Sequence, residues 1–173
     1  IAGFFKAKYK MHPFISSMSN MLIIFGMVTY ATKGVSFGAI ENDIPAMIIP
    51  KIGNFPTIIL WAAVAVMIVW FIWNKTTFGK NLYAVGGNPE AAAVSGIDVF
   101  RVTIMAFVMA GVLYRFGAWL ECNRMVGSGS AAYGQGWDMD AIAACVVGGV
   151  SFSGGIGKIS GVVVGVTIFT ALT

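Results

Sequence analysis

Apolar residues recur in five runs separated by polar stretches. Phe14 to Tyr30 is apolar apart from Ser16, Ser17, Ser19 and Asn20, and Thr57 to Trp73 is uncharged and holds Trp61, Trp70 and Trp73. Val102 to Leu120 carries a single charge, Arg115. Met139 to Phe152 is apolar after Asp140 but short, and Gly161 to Thr173 is apolar to its last residue. A helix needs about 20 residues at ~1.5 Å each to cross the hydrocarbon layer. The second and third runs qualify, and the first does so if its serines face other helices. The fourth is a short tilted span or a re-entrant segment, and the fifth is half of a span. The pattern predicts an all-α polytopic membrane bundle, with 1–173 forming part of a single transmembrane domain.

The loops orient the bundle. Lys6, Lys8 and Lys10 precede the first run, Lys75, Lys80 and Arg101 lie in 74–101, and Lys158 lies in 151–160. The alternate loops hold Lys33 and Lys51 in 31–56 and Arg124 in 121–138. The excess of basic residues assigns the first set to the cytoplasm. Loop 31–56 is then external. Pro45, Pro50 and Pro56 with Gly34, Gly38 and Gly53 prevent a long helix there, leaving room for a short one around Pro45–Ile49.

Composition sharpens the class. Of 173 residues, 58% are hydrophobic and only 10% charged, which excludes a soluble domain and a disordered region. The net charge of +4 is spread over loops rather than gathered in a stripe, so no nucleic-acid partner is expected. Cys122 and Cys145 have neither CxxC spacing nor histidine companions, so no metal site or disulfide framework is expected. The chain opens on Ile1 and stops inside an apolar run, as a piece of a longer polypeptide would.

Several motifs fail on inspection. Gly154-Gly-Ile-Gly-Lys158 lacks the first glycine of a phosphate loop, since position 152 is Phe152, and Ile159 stands where Ser or Thr is required. Gly127, Gly129 and Ala132 match a dinucleotide fingerprint, but no strand precedes them. His12 is the sole histidine, and Asp138 and Asp140 sit two apart, off a common helix face. No catalytic residue and no cofactor are expected.

Three features hold. In Gly86-Gly-Asn-Pro-Glu-Ala-Ala-Ala-Val-Ser-Gly-Ile-Asp98, Asn88 is an N-cap, Pro89 suits the first helical position and Glu90 suits the helix N-terminus. Gly96 is a stop, and Asp98 caps the helix that follows. A helix of about two turns is marginal alone. It packs either on its own membrane domain or into a cytoplasmic partner. Between 148 and 165 small residues recur every four positions. Either they pack helices closely, or Gly148, Gly149, Gly154 and Gly155 break a helix and line a polar pathway. Arg115 stands mid-span, where an unpaired charge costs about 2.5–3.5 kcal/mol on insertion scales, and calls for a partner on another span. Glu121 and Arg124 are three apart and can pair near the outer boundary.

The stretch from Thr76-Thr-Phe-Gly-Lys-Asn-Leu-Tyr-Ala-Val-Gly-Gly-Asn-Pro-Glu-Ala-Ala to Ser95-Gly-Ile resembles the cytoplasmic loop of the ribose/galactose-type sugar permeases of bacterial ABC importers. Met139-Asp-Ala-Ile-Ala-Ala-Cys-Val-Val-Gly-Gly-Val-Ser-Phe-Ser-Gly-Gly-Ile-Gly157 resembles a second signature of that family, and His12-Pro-Phe-Ile fits the start of one of its spans. The resemblance implies the permease fold of an ABC importer, with about five of roughly ten spans in this chain. It implies a homodimer in the bacterial cytoplasmic membrane, a periplasmic sugar-binding protein and a cytoplasmic ATP-binding subunit that performs the hydrolysis. Gly87, Asn88, Pro89, Glu90, Ala91, Ala92, Ser95 and Gly96 would form the loop that couples to the ATPase, and 139–157 would lie near the subunit interface and pathway. Galactose or methyl galactoside is the favoured cargo, with ribose, xylose or another small solute as same-family alternatives. A membrane-embedded enzyme or scaffold is the reading from another class. Arg115 departs from the family's small residue, so the family assigns it no role.

Overall fold

The computed structural model describes residues 2–9, 11–35, 51–52, 55–124, 129–130 and 132–172, with 51–52 and 55–56 as backbone alone. The helix expected around Pro45–Ile49 lies outside the described residues. The elements in order are α1 (Ala2–Tyr9), α2 (Pro13–Thr32), β1 (Lys51–Ile52), β2 (Phe55–Pro56), α3 (Ile58–Lys75), α4 (Thr77–Gly87), α5 (Pro89–Val94), α6 (Val99–Arg124), α7 (Trp137–Val147) and α8 (Ile159–Leu172). The two short strands pair antiparallel, Lys51 opposite Pro56 and Ile52 opposite Phe55.

Among the described residues, α2, α3 and α6 are long and apolar enough to cross a membrane. The chain is thus an all-α integral membrane protein of the expected class. Its helices carry apolar side chains outward: Leu22, Ile23 and Met27 on α2, and Met67 and Phe71 on α3, are all more than half exposed. In water that surface would collapse or aggregate. Against lipid it costs nothing, because the helices satisfy their own backbone groups. Pro13 opens α2, where its missing N–H is not needed. Lys33 ends it in the left-handed region, its N–H donating to the Tyr30 carbonyl at 3.2 Å.

Two stretches read from the sequence as loops contain helices. Residues 2–9 form α1. Residues 77–87 form α4, because Thr76 caps it: its hydroxyl accepts from the Gly79 N–H at 3.3 Å and donates to the Ile72 carbonyl at 2.6 Å. The chain turns tightly from α3 into α4, and a Cβ on Gly79 would overlap the Trp73 carbonyl oxygen. Phe78, Leu82 and Val85, at i, i+4 and i+7, are the half-buried face of α4.

The fourth apolar run, open between a short tilted span and a re-entrant segment, is helical over only part of its length. Helix α7 ends at Val147, so its 11 residues reach only about 16 Å. Gly148 and Gly149 stop it. Gly149 adopts φ +81°, its N–H donates to the Val146 carbonyl at 2.9 Å, and the Val150 N–H donates to the Cys145 carbonyl at 3.1 Å. This paired cap terminates a helix whatever apolar residues follow. Met139–Phe152 is therefore a short helix running into a turn, rather than one continuous span.

The chain divides into two compact units. The first comprises Ile1–Val64 and Ile104–Tyr133. Within it, α1 lies so close to α6 that a Cβ on Gly3 would stand 2.7 Å from the Phe107 Cβ. Trp61 meets Phe116 edge-on at 6.3 Å, and Phe116 stacks on Trp119 at 6.1 Å. The second unit comprises Ala65–Thr103 and Gly134–Thr173. There α7 and α8 form a hairpin with no side chains at its closest points. A Cβ on Gly148 would overlap the Gly161 carbonyl, and one on Gly165 would overlap the Ala144 carbonyl and stand 2.6 Å from the Gly148 nitrogen. Such contact is available only to glycine and gives helices close packing where lipid offers no hydrophobic drive.

Candidate functional site

The capped segment folds as its residues dictate. Asn88 is extended, and its Oδ1 accepts from the N–H groups of Glu90 and Ala91, both at 3.0 Å. Pro89 opens α5 and Glu90 occupies its first turn, where a carboxylate favours the helix dipole. At the other end Gly96 takes φ +83° and donates to the Ala93 carbonyl, while the Ile97 N–H reaches back to the Ala92 carbonyl, each at 3.0 Å. The Ser95 hydroxyl donates to the Ala91 carbonyl at 2.9 Å. Asp98 then accepts from the Arg101 N–H at 3.0 Å and pairs with its guanidinium at 3.0 Å. Every cap expected from the sequence is present.

Exposure separates the residues of α5. Ala92 is buried at 3%, whereas Glu90, Ala91, Ala93 and Ser95 are exposed and Val94 is 90% exposed. The helix rests on its own chain through one methyl group and presents an apolar knob beside a carboxylate. Its two ends are fixed by backbone hydrogen bonds, so the displayed surface is preformed.

The second set of candidates lies beside the first. Gly154 and Gly155, both at positive φ, pack on the residues just before α5. A Cβ on Gly154 would stand 2.6 Å from the Gly86 carbonyl oxygen, and one on Gly155 would stand 2.6 Å from the Gly87 Cα. The Tyr83 hydroxyl donates to the Gly157 carbonyl at 2.6 Å. Residues 151–156 close on themselves, with the Ser151 N–H donating to the Ile156 carbonyl at 2.9 Å. Gly148 meets α8, as above, whereas Gly149 has nothing within 4 Å of a built Cβ. The structure thus joins two motifs separated by about seventy residues of sequence. Tyr83 was missed in the sequence, where 74–87 carried no helix. Thr76 as a cap and the 78, 82, 85 spacing are the signals that would have found that helix.

A polar cluster closes the far end of α6. The Arg124 Nε donates to both Glu121 oxygens, at 3.1 and 3.0 Å, and the Tyr133 hydroxyl donates to the same carboxylate. Glu121 and Arg124 pair as their spacing predicts. By accepting from the Tyr133 hydroxyl, the Glu121 carboxylate holds the phenol protonated and raises its pKa above the ordinary value. In Glu121→Gln, Tyr133 should titrate closer to the usual value of about 10. Tyrosinate absorbance against pH, with Tyr133→Phe subtracted, measures it, and an unchanged midpoint would refute the contact. Arg115 lies on an exposed face of α6 and belongs to neither ion pair found among the described residues, Arg101–Asp98 and Arg124–Glu121.

Comparison with known proteins bears on both motifs at once. The family model described as branched-chain amino acid transport system / permease component matches residues 1–173. The chain is 52% identical over 181 residues to the galactose/methyl galactoside import permease protein of Treponema pallidum, covering 99% of this chain and 34% of that protein. It is 45% identical over 179 residues to the protein of the same name from Haemophilus influenzae, covering 99% and 53%. It is 37% identical over 169 residues to the L-arabinose transport system permease protein of Escherichia coli, covering 97% and 51%. The chain therefore spans between 34% and 53% of the length of these relatives. No solved structure matches it.

Proposed function

The chain belongs to the branched-chain amino acid transport system / permease component family, and from that premise we propose that it is part of the membrane permease of an ATP-driven sugar importer. Galactose or a methyl galactoside is the cargo. The observation that carries this is identity over nearly the whole chain: 43–52% across 99% of it to four proteins named as galactose/methyl galactoside permeases, against 37% and 35% to those named for arabinose and ribose, while one named for xylose reaches 44% over only 68% of the chain. The family description names branched-chain amino acids, but the relatives named for galactose, arabinose and ribose extend over 97–99% of this chain.

The permease performs no bond chemistry. A separate cytoplasmic ATP-binding subunit hydrolyses ATP, a periplasmic binding protein delivers sugar, and a second permease subunit completes the pathway in the cytoplasmic membrane. Helix α5 is the docking element. A six-residue helix held by caps and resting on one alanine has little reason to exist for its own stability. It makes sense as a rigid plug whose exposed Glu90, Ala91 and Val94 enter a groove on the ATPase. Closure of the ATPase on ATP then displaces α5, and the energy of that closure biases a bundle with two arrangements.

Charge reversal tests this reading. In cells lacking their own galactose permease, the full-length parent with its partners should take up labelled galactose. Glu90→Lys should lower that uptake about tenfold by opposing charge complementarity at the docked surface. Its level in the membrane should stay unchanged. Labelled arabinose and ribose run in parallel. Uptake of one of those instead would change the cargo, and normal galactose uptake by Glu90→Lys would remove Glu90 from the docking surface.

A further inference from the structure

We infer that the contact between the end of α4 and the 154–157 turn is the joint that carries motion of α5 into the α7–α8 hairpin, with Tyr83, Gly86 and Gly155 as its positioning residues. The inference rests on the docking role proposed for α5 and specifies how that helix is connected to the rest of its unit.

The argument begins with the connection. Only Asn88 separates α4 from α5, and its side chain and backbone both serve as caps, so there is no slack linker between them. Displacing α5 therefore moves the end of α4. That end is pinned to 154–157 in two independent ways. One is backbone contact of Gly86 and Gly87 with Gly154 and Gly155; the other is the 2.6 Å hydrogen bond from Tyr83 to the Gly157 carbonyl.

The turn is itself closed by the Ser151 and Gly154 N–H groups, at 2.9 and 3.2 Å. Beyond it lie α7 and α8, locked backbone to backbone at Gly148–Gly161 and Ala144–Gly165. Apart from the Tyr83 hydrogen bond, the contacts along this route lack a side chain that could rotate to absorb displacement. Close-packed contacts of that kind shift between discrete arrangements rather than deform smoothly. The glycines of 148–158 thus serve transmission: three of the four named candidates face backbone.

The test separates a wedge in the joint from the cost of backbone strain. Gly155→Ala adds both, because its φ is +72° and its new Cβ would meet the Gly87 Cα at 2.6 Å. Gly136→Ala adds strain alone, since its φ is +90° and its Cβ would find nothing within 4 Å. Tyr83→Phe removes the hydrogen bond and keeps the ring. The full-length permease is purified with its ATP-binding subunit and reconstituted in vesicles, and sugar transport and ATP hydrolysis are measured on the same preparation.

Gly155→Ala should transport about tenfold less sugar for each ATP hydrolysed, a size typical of a lost coupling. Tyr83→Phe should shift the ratio the same way by a smaller factor, and Gly136→Ala should keep it. Hydrolysis and transport falling together in the Gly155 and Tyr83 variants would show a merely structural role and overturn the joint. So would a ratio in those variants equal to that of Gly136→Ala. Failure of the ATP-binding subunit to co-purify with the unmutated permease would instead overturn the docking role of α5, and the joint with it.

Discussion

Replacing Gly165 by leucine should remove the permease from the membrane and with it all measurable sugar uptake. Gly165 is buried, and even a single added carbon would overlap the Ala144 carbonyl and stand 2.6 and 2.7 Å from the Gly148 nitrogen and Cα. None of those atoms is the end of a flexible side chain. Relief requires α7 and α8 to separate along their length. Overpacking of an ordinary core costs about 1–3 kcal/mol. Here the obstacle is backbone and four carbons must be housed, so the cost should exceed that range and approach the whole stability of a small domain, about 5–15 kcal/mol. Immunoblots of membrane fractions check it. A variant present at the normal level and active would show that the hairpin is looser than its contacts imply. Gly26, which has nothing within 4 Å of a built Cβ, is the matched site: Gly26→Leu should leave the membrane level unchanged.

The second large effect should have the opposite signature, with the protein present and its partner lost. Asn88→Ala combined with Gly96→Val strips both ends of α5. Losing the N-cap side chain costs about 1 kcal/mol. A branched residue at φ +83° adds roughly 1–2 kcal/mol of left-handed strain. A six-residue helix has no propagation energy to offset either. Its exposed face should become an ensemble, and the ATP-binding subunit should no longer co-purify. Uptake should fall by more than tenfold, because about 2–3 kcal/mol of preorganisation corresponds to roughly a 30-fold to 150-fold loss of docked complex. The spans do not depend on α5, so the membrane level should stay normal. Co-purification of the ATPase at the unmutated level would refute α5 as its dock.

These two variants mark different kinds of information. The spans were legible as apolar runs because lipid rewards any sufficiently long apolar helix, almost independently of its neighbours. The runs Phe14 to Tyr30, Thr57 to Trp73 and Val102 to Leu120 became α2, α3 and α6 with ends shifted by one to four residues. The caps of α5 and of the start of α6 were legible because a cap is local chemistry, in which Asn88, Pro89 and Gly96 for α5 and Asp98 for α6 act on residues close in sequence. The Glu121–Arg124 pair was legible for the same reason, and Tyr133 joins it only through the returning chain.

Helix α4 was missed because its lysine, asparagine and glycines hide a short half-buried face inside a cationic loop. The fourth run stayed open between a short span and a re-entrant segment, because hydropathy continues through Phe152 while the backbone turns at Gly149. Composition therefore identified a membrane protein, its long helices and the capped α5. Only tertiary structure decided what the glycines outside the local caps are for. Whether a glycine admits a neighbour's backbone or stands in open space depends on atoms that can lie about ten to seventy residues away, as at Gly165, Gly155 and Gly26. A missing side chain carries no mark in the sequence of what will occupy its place.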